Sequence, residues 1–400
     1  MRIAALKDGA RYLGVLLKDI GDGSKDCPEC SVEMNLLGRR KKTVTTLLGE
    51  TTVERSYCIC PGCKTRSFPK DNALDIQNTS FSPGVRRLMA RCGARDSFSK
   101  GEEDLLVYSG IHVDEKDIER ISESIGADII AREDIAHEKA IEDPPENPVP
   151  IMYVACDGTG VPMVRKEIQG RKGKQADGSA RTREVKLGCV FTQTGTDNKG
   201  SPVRDEFSTT YTAAIETSEV FGNRLYAEAL SRGLIGAEKV VFIGDGARWI
   251  WNLADLYFPN ACHIVDLYHA RQHLHAIIKF ISPPDEIVSE WHSLLNAGDI
   301  EKLVESLSSH VPDNESKTAI ETEIDYFKTN ACRMRYDEYR ASNYFVGSGV
   351  IEAGCKNIIA SRMKKSGARW SLRGANSIIA LRCSLASNRF DDYWADRAAA

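Results

Sequence analysis

Two cysteine pairs, Cys27-Pro28-Glu29-Cys30 and Cys60-Pro61-Gly62-Cys63, constrain this chain more tightly than any other feature. Each is a C-x₂-C knuckle, and together they offer four soft thiolates, the number that a tetrahedral zinc ion takes. Between them, KKTVTTLLGETTVERSYCI places β-branched residues on both sides of Gly49, which signals a hairpin. The expected unit is a zinc ribbon over residues 1–75, with Cys27, Cys30, Cys60 and Cys63 as ligands. Cys58 competes with Cys60 for a place in the set, but Cys60 has the better spacing to Cys63. The alternative is fortuitous thiols in a reducing cytosol, and paired knuckles are much more specific than a lone one. Cys92, Cys156, Cys189, Cys262, Cys332 and Cys383 stand singly in apolar contexts and read as small buried thiols.

A chain of 400 residues is too long for one compact domain, so two or three are expected. With 42% hydrophobic and 28% charged residues, global disorder is excluded. Lys and Arg total 53 against 57 Asp and Glu, a net charge of −4, which excludes a uniformly basic protein but leaves room for a local basic patch. No apolar run approaches the ~20 residues of a membrane span. The N-terminal stretch carries acids and lacks a small-residue cleavage site, so a cytoplasmic location is expected.

Residues 80–141 read as a small helical domain. Ser82-Pro83 marks a helix start, and VRRLMARCGA, GEEDLLVYSG and KDIERISESIGADIIARE repeat apolar residues at three- and four-residue steps. Gly110 ends one helix and the next begins after Asp114. Two readings stand, a helix-turn-helix that binds DNA and a plain helical bundle. Residues 142–150, EDPPENPVP, hold four of the 14 prolines and read as a linker.

From 151 onward, strands and helices alternate, as in an α/β domain. IMYVAC (151–156) is a short apolar strand ending in Asp157-Gly158. Residues 185–193 and 203–211 are further strand candidates, and 219–231 reads as a helix. KVVFI (239–243) then ends in Gly244-Asp245-Gly246, followed by the helical RWIWNLADLYF and the strand HIVDLY. Three strands, a helix, a strand, a helix and a strand is the order of a ribonuclease-H-like sheet. An Asp at the end of a central strand sits where ligands bind, and two of them on neighbouring strands can share divalent metals. The adjoining glycines are expected to let the backbone turn sharply and to leave room for a substrate. One Asp-Gly alone is an ordinary turn dipeptide; the same strand-then-Asp-Gly unit twice points to function.

A third carboxylate is expected from Glu352, in the first turn of a helix after Gly347-Ser348-Gly349. From 353 to 390 there are eight Lys or Arg and no Asp or Glu, a patch suited to a phosphate backbone. Lys356, Arg362, Lys364, Lys365 and Arg369 belong to it, and Trp370 inside it is a candidate to stack on an unpaired base. The alternative is a solvated helix face with Trp370 partly in the core.

The segments CDGTGVPM, VVFIGDGARWIWN, DLYHARQHL and GSGVIEAGCKNIIASRMKKSGARWS resemble bacterial insertion-sequence transposases of the ISKra type, which are DDE transposases. The resemblance covers at least residues 151–394 and implies a ribonuclease-H-like mixed sheet with an α-helical insertion, here at about 277–343. Carried over by position, it makes Asp157, Asp245 and Glu352 the catalytic triad, binding two Mg or Mn ions. Asp266-Leu-Tyr-His269 matches the D-x-x-H motif of such enzymes, which implies that Asp266 and His269 help to hold DNA; Arg333 and Arg335, near the end of the insertion, are further DNA candidates. His263, His269 and His273 are an alternative zinc set, weighed below a DNA-holding or supporting role for His269.

The implied activity is metal-dependent hydrolysis at element ends followed by attack of the freed 3′-hydroxyl on target DNA. The partners would be terminal-repeat and target DNA, with a homo-oligomer on paired ends and association with the nucleoid. The rivals are a ribonuclease-H-like nuclease and a transposase-derived DNA-binding protein without catalysis. A dinucleotide-binding dehydrogenase fits poorly, because neither DGTG nor GDGA is G-x-G-x-x-G.

Overall fold

The hairpin expected around Gly49 is formed by β1 (Asn35–Thr46) and β2 (Gly49–Ile59), paired antiparallel from Asn35↔Ile59 to Thr46↔Gly49. The computed structural model describes residues 2–399 apart from Ser24, Lys174 and Asp177. It divides into two compact units, Met1–Ile125 and Gly126–Ala400.

In the first unit a helix, α1 (Arg2–Asp19), precedes the hairpin, and a short strand β3 (Arg66–Ser67) pairs with β2. After the short α2 (Pro69–Ala73) come α3 (Pro83–Arg95) and α4 (Phe98–Ser109). The Ser82 hydroxyl accepts from the Val85 amide and Pro83 occupies the first turn, so α3 starts where the Ser-Pro signal placed it. Gly110, at φ 73°, ends α4 in the left-handed region. Val85, Met89, Ala90, Leu105, Ile118 and Ile121 form buried helical stripes. Helix α5 (Glu115–Glu142) carries the chain into the second unit.

The second unit is built on a mixed five-stranded sheet. Its strands are β4 (Val149–Pro162), β5 (Thr182–Gln193), β8 (Thr210–Ala214), β9 (Ala237–Gly244) and β10 (Cys262–Val265), in the spatial order β10-β9-β4-β5-β8. Strands β4, β9 and β10 are parallel, while β5 runs antiparallel to β4 and β8. Met152, Tyr153, Val154, Val241, Phe242 and Ile243 are buried, as continuous apolar runs in central strands should be. The short α6 (Arg165–Ile168) lies in the β4–β5 connection. Helices α7 (Ser218–Ser231) and α8 (Arg248–Tyr257) provide the crossovers to β9 and β10.

Two strand expectations need correction. The segment 203–211 is not one strand: Pro202–Val203 (β7) pairs only with Gly195–Thr196 (β6), and the sheet strand begins at Thr210. Pro202 has no amide to donate, and Phe207 takes φ 57°, which breaks extended backbone. Nor does β4 end at Asp157. It continues with β5 to Pro162↔Thr182, while its pairing with β9 stops at Ala155↔Ile243. Gly158 therefore does not turn the chain; a Cβ there would stand 2.6 Å from the Glu184 carboxylate on β5.

The stretch expected to be a helical insertion contains α9 (Leu267–Ile281), α10 (Asp285–Ala297), α11 (Ile300–Ser309), α12 (Lys317–Asn330) and α13 (Tyr336–Ala341). Trp291, Leu295, Leu303, Leu307, Ile320 and Phe327 are fully buried within it. The chain then forms α14 (Gly349–Gly354), a π-helical stretch (Cys355–Ala360) and α15 (Ser361–Met363), followed by α16 (Leu372–Ala386) and α17 (Phe390–Ala399). No helix among the described residues is long and apolar enough to cross a membrane.

Candidate functional site

The sulfur atoms of Cys27, Cys30, Cys60 and Cys63 lie within 4.8 Å of one another. Their closest approaches are 3.4 Å for Cys27–Cys63 and for Cys30–Cys60. Two equivalent loops build this. The Ser31 amide donates to the Cys27 carbonyl and the Lys64 amide to the Cys60 carbonyl; the Cys27 and Cys60 amides donate to Val32 and Thr65. Ser31 and Lys64 both adopt positive φ, 58° and 66°, so each loop folds back to aim both its sulfurs inward. Hydrogen bonding with the Thr65 side chain and amide holds the Cys63 thiol down, at about 6. Cys30, which the Val32 amide would lower, is pushed up to about 11 by its hydrogen bonds to Cys60 and Cys63. Four thiols so close cannot all ionise without a cation, and the donor set fits a tetrahedral zinc ion. Cys58 is fully buried beside Met34 and stands outside the set.

The second candidate lies at the carboxyl edge of the sheet. Ala155 pairs with Ile243 and Ile243 with Ile264, so Asp157, Asp245 and Asp266 stand two residues further on, at equivalent positions of adjacent strands. Asp157 lies within β4, whereas Asp245 and Asp266 lie one residue past the ends of β9 and β10. The helical segment that continues from Glu352 reaches this edge: Cys355 Sγ donates to Asp157 Oδ2 at 3.3 Å. The Gly158 amide donates to Asp157 Oδ1 at 2.6 Å. Burial raises the Asp157 carboxyl above its ordinary range; Asp245 adds to the rise, while the Cys355 and Gly158 hydrogen bonds and His269 oppose it. Asp245 is half-buried and accepts from the Ala247 amide at 2.8 Å.

Glu352 lies three residues before Cys355, one helical turn away and on the same helix face. Its side chain is exposed. Among the described residues the cysteine cluster is the one set of three or more Cys, His, Asp or Glu whose ligand atoms all lie within 4.8 Å. The structure thus brings Asp157 and Asp245 to one edge and aligns the Glu352 helix with them, but does not close the three carboxylates around a common point.

Asp266 is 3% exposed, and its carboxylate is fully engaged within the fold. Oδ1 accepts from the Tyr268 and His269 amides, capping α9, and Oδ2 accepts from the Ser348 amide at 2.6 Å and from its hydroxyl. This corrects the expectation of a direct DNA contact: Asp266 ties the end of β10 to the loop from which α14 departs. No sequence spacing links Asp266 to Ser348, so this role is not legible in the sequence. His269 is half-buried, with its ring 5.0 Å from that of His273. His273 hydrogen-bonds Glu323 and stacks at 3.7 Å on Tyr326, whose hydroxyl donates to the Asp245 carbonyl at 3.0 Å. Gly246 makes room for that ring: a Cβ there would stand 2.5 Å from Tyr326, and φ is 100°. His263 bonds instead to the Phe258 carbonyl and Asp255, so the three histidines form no metal set.

Of the basic candidates, Lys356, Lys364 and Arg369 are exposed and Lys365 is half-buried. Lys364 Nζ reaches Thr159 Oγ1 at 2.5 Å, two residues beyond Asp157. Trp370 and Arg362 are corrections. Trp370 is 6% exposed; its indole donates to the Met363 carbonyl, its amide to Pro162, and the buried Arg362 guanidinium lies 4.8 Å from its ring centre. It anchors the end of β4 and has no face free for a base. Arg335 is engaged by Glu301 in two hydrogen bonds, 2.6 and 2.9 Å, and Arg333 lies over Trp251 and 3.6 Å from Asp255. Both brace the helical insertion rather than project freely from it.

The model of a family described as "Uncharacterised protein family (UPF0236)" matches residues 33–389, and the chain belongs to that family. No curated protein matches it. Among solved structures, the chain is similar to the Drosophila P element transposase strand transfer complex at 11% identity and a TM-score of 0.27, over 80% of this chain and 82% of that one.

Proposed function

We propose that this chain is a DDE-type DNA transposase with a ribonuclease-H-like catalytic unit, which cuts at element ends and joins the freed 3′-hydroxyl to target DNA. The observation that carries the reading is the alignment of Asp157 and Asp245 just past the point where the parallel pairing of β4 with β9 ends, beside the helical segment that continues from Glu352. Three antiparallel strands followed by two strands parallel to the first support the ribonuclease-H-like assignment.

Hard carboxylate oxygens suit Mg or Mn, and a half-buried Asp157 with Asp245 nearby is a charge arrangement that a divalent cation relieves. When bound, such ions activate a water or a 3′-hydroxyl and stabilise the leaving oxygen. The chain's own residues do the rest. Cys355 and Gly158 hold the Asp157 carboxylate in one orientation, and Tyr326 and Ala247 hold the Asp245 loop. Lys364 and His269 flank the two acids and would hold a phosphate beside them. Asp266 fixes the start of α14, so that Glu352 approaches from a tethered helix. Paired element ends make a homo-oligomer on DNA part of the proposal, with the ribbon and α3–α5 reading terminal sequences.

The separation of Glu352 from the two aspartates favours, as a second reading, a transposase-derived DNA-binding protein without catalysis. Incubating labelled element ends with Mg or Mn decides between them. Wild type should cleave and form strand-transfer products, and Asp157→Asn, Asp245→Asn and Glu352→Gln should not. Equal cleavage by all four proteins removes the triad; cleavage without joined products leaves a nuclease.

A further inference from the structure

Strand β1 contains Gly38-Arg39-Arg40-Lys41-Lys42, four consecutive cations in a chain whose net charge is −4. It is the outer strand of the three-stranded sheet, and among the described residues its free edge is unpaired from Asn35 until Thr45 meets Phe81. Not all four cations are available. Lys42 is held by Asp71 at 3.2 Å and by the Ile76 carbonyl at 2.6 Å, and Arg55, opposite Arg40, is held by the same Asp71 at 2.6 Å. Arg39, Arg40 and Lys41 are exposed. Among the described residues, the one ion pair that these three make is Arg39 with Glu54, at 3.4 Å with both side chains about half or more exposed, a contact of little strength.

We infer that this edge of the hairpin is a docking surface for the backbone of double-stranded DNA, with Arg39, Arg40 and Lys41 as the contacting cations. The inference rests on the transposase reading for the identity of the polyanion, and on the strand for its location. An extended strand sends Arg39 and Lys41 to one face, about 6.6 Å apart, and Arg40 to the other, so the cations straddle an edge whose amides are also free to meet phosphate oxygens. Edge strands often carry a single charge to discourage pairing with another chain. Three adjacent exposed cations also make a short electrostatic rail, and DNA rewards each neutralised phosphate with counterion release. Contacts of this kind position the protein without reading sequence. They would therefore hold DNA of any sequence, separately from the chemistry at Asp157.

The test compares the full-length, zinc-loaded wild type with two triple variants on a fluorescent random-sequence duplex, by anisotropy at several salt concentrations. One variant is Arg39→Ala/Arg40→Ala/Lys41→Ala; the other keeps charge as Arg39→Lys/Arg40→Lys/Lys41→Arg. The slope of log affinity against log salt should fall by about 2–3 in the alanine variant, at roughly 0.9 for each phosphate no longer neutralised. The charge-keeping variant should retain it. Zinc content and circular dichroism check that each protein is folded. An unchanged slope in the alanine variant overturns the inference, as does an equal loss in both variants, or tighter wild-type binding to single-stranded RNA than to the duplex. Increased aggregation of the alanine variant with an unchanged slope would mean that the charges only protect the edge. Docking is scored by the salt slope on a random-sequence duplex and the triad by cleavage of labelled element ends, so failure of one is distinguishable from failure of the other.

Discussion

The cysteine cluster and the carboxylate edge both gather metal-binding types of side chain, yet they are built in opposite ways. The cluster is assembled by two short loops with matching hydrogen bonds, and all four sulfurs already lie within one coordination sphere. The edge is assembled by sheet register and by a helix roughly two hundred residues further along the chain, and its acids stay apart. The first arrangement is closed and fits a structural metal. The second leaves its carboxylates apart, which on the proposed reading is the open arrangement that chemistry on a bound substrate would need. The difference separates a site whose donors are gathered by local loops from one whose acids are gathered by tertiary packing.

The largest expected effect follows from the first half of that contrast. Removing the metal with a strong chelator, or replacing Cys60 with Ala, should unfold the region from Cys27 to Ser67, because structural zinc contributes on the order of 10 kcal/mol to such small units. Hydrogen exchange should show this segment losing protection, and metal analysis should show the loss of one zinc per chain. A ribbon that stays protected without metal would break the comparison.

At the edge, the sign should reverse. Asp157→Asn should lower cleavage at least about 1,000-fold, or about 4 kcal/mol in the activation barrier. The same change should raise the melting temperature of the metal-free protein. Burial holds the Asp157 carboxyl above its unfolded value, so as pH rises the unfolded state ionises first and the folded state loses stability; the amide removes that loss. A lower melting temperature would mean that Asp157 is a structural partner rather than a waiting ligand.

How much of this is legible in the sequence follows the same division. The ribbon ligands are local: Cys27 and Cys30, or Cys60 and Cys63, announce themselves by spacing, and the turn at Gly49 by its β-branched flanks. Asp157 and Asp245 are legible because each ends an apolar run, although β4 in fact runs on through Gly158 as the arm of a long hairpin. Ser82-Pro83 and Gly110 mark their helix ends because capping depends on neighbouring residues. What stays hidden depends on tertiary contact. Trp370 has the sequence setting of a base-stacking platform within a basic run, and only the folded chain gives it a bridge to Met163 and a hydrogen bond to the Met363 carbonyl. Asp266 belongs to the D-x-x-H match from which the family resemblance implies a DNA contact, and only the folded chain brings Ser348 to it.

A second carboxylate pair serves as a control for the comparison. Glu228 is 1% exposed and is paired with Arg389 at 2.7 Å and with Thr210 at 2.6 Å. Glu133, near it, is pushed up to about 7 by burial and then by Glu228. Here the chain supplies its own cation, so added Mg should not change stability. The folded state keeps the Glu133 proton up to about pH 7 whereas the unfolded state loses it near 4.5, so stability from this group is present below 4.5 and fades as pH rises to 7. Glu133→Gln should therefore stabilise the protein at pH 8 by up to about 3 kcal/mol, and flatten the denaturant-unfolding profile between those pH values. A response to Mg at this pair would blur the distinction between acids that await an ion and acids that do not.

The smallest expected effect probes how the insertion supports the edge. Tyr326 on α12 donates to the Asp245 carbonyl and stacks on His273, so Tyr326→Phe removes one hydrogen bond and leaves the ring contact in place. One such bond contributes about 1 kcal/mol. If that energy is used to hold the Asp245 loop, cleavage should fall about fivefold, while the affinity for duplex DNA and its salt dependence stay at wild-type values. If it only stabilises the fold, unfolding in denaturant will register the full loss and the cleavage rate of the folded protein will not change. The first result would tie the insertion to the chemistry of the edge. The second would leave the carboxylates supported by the sheet alone, and make the contrast with the self-contained cysteine loops sharper still.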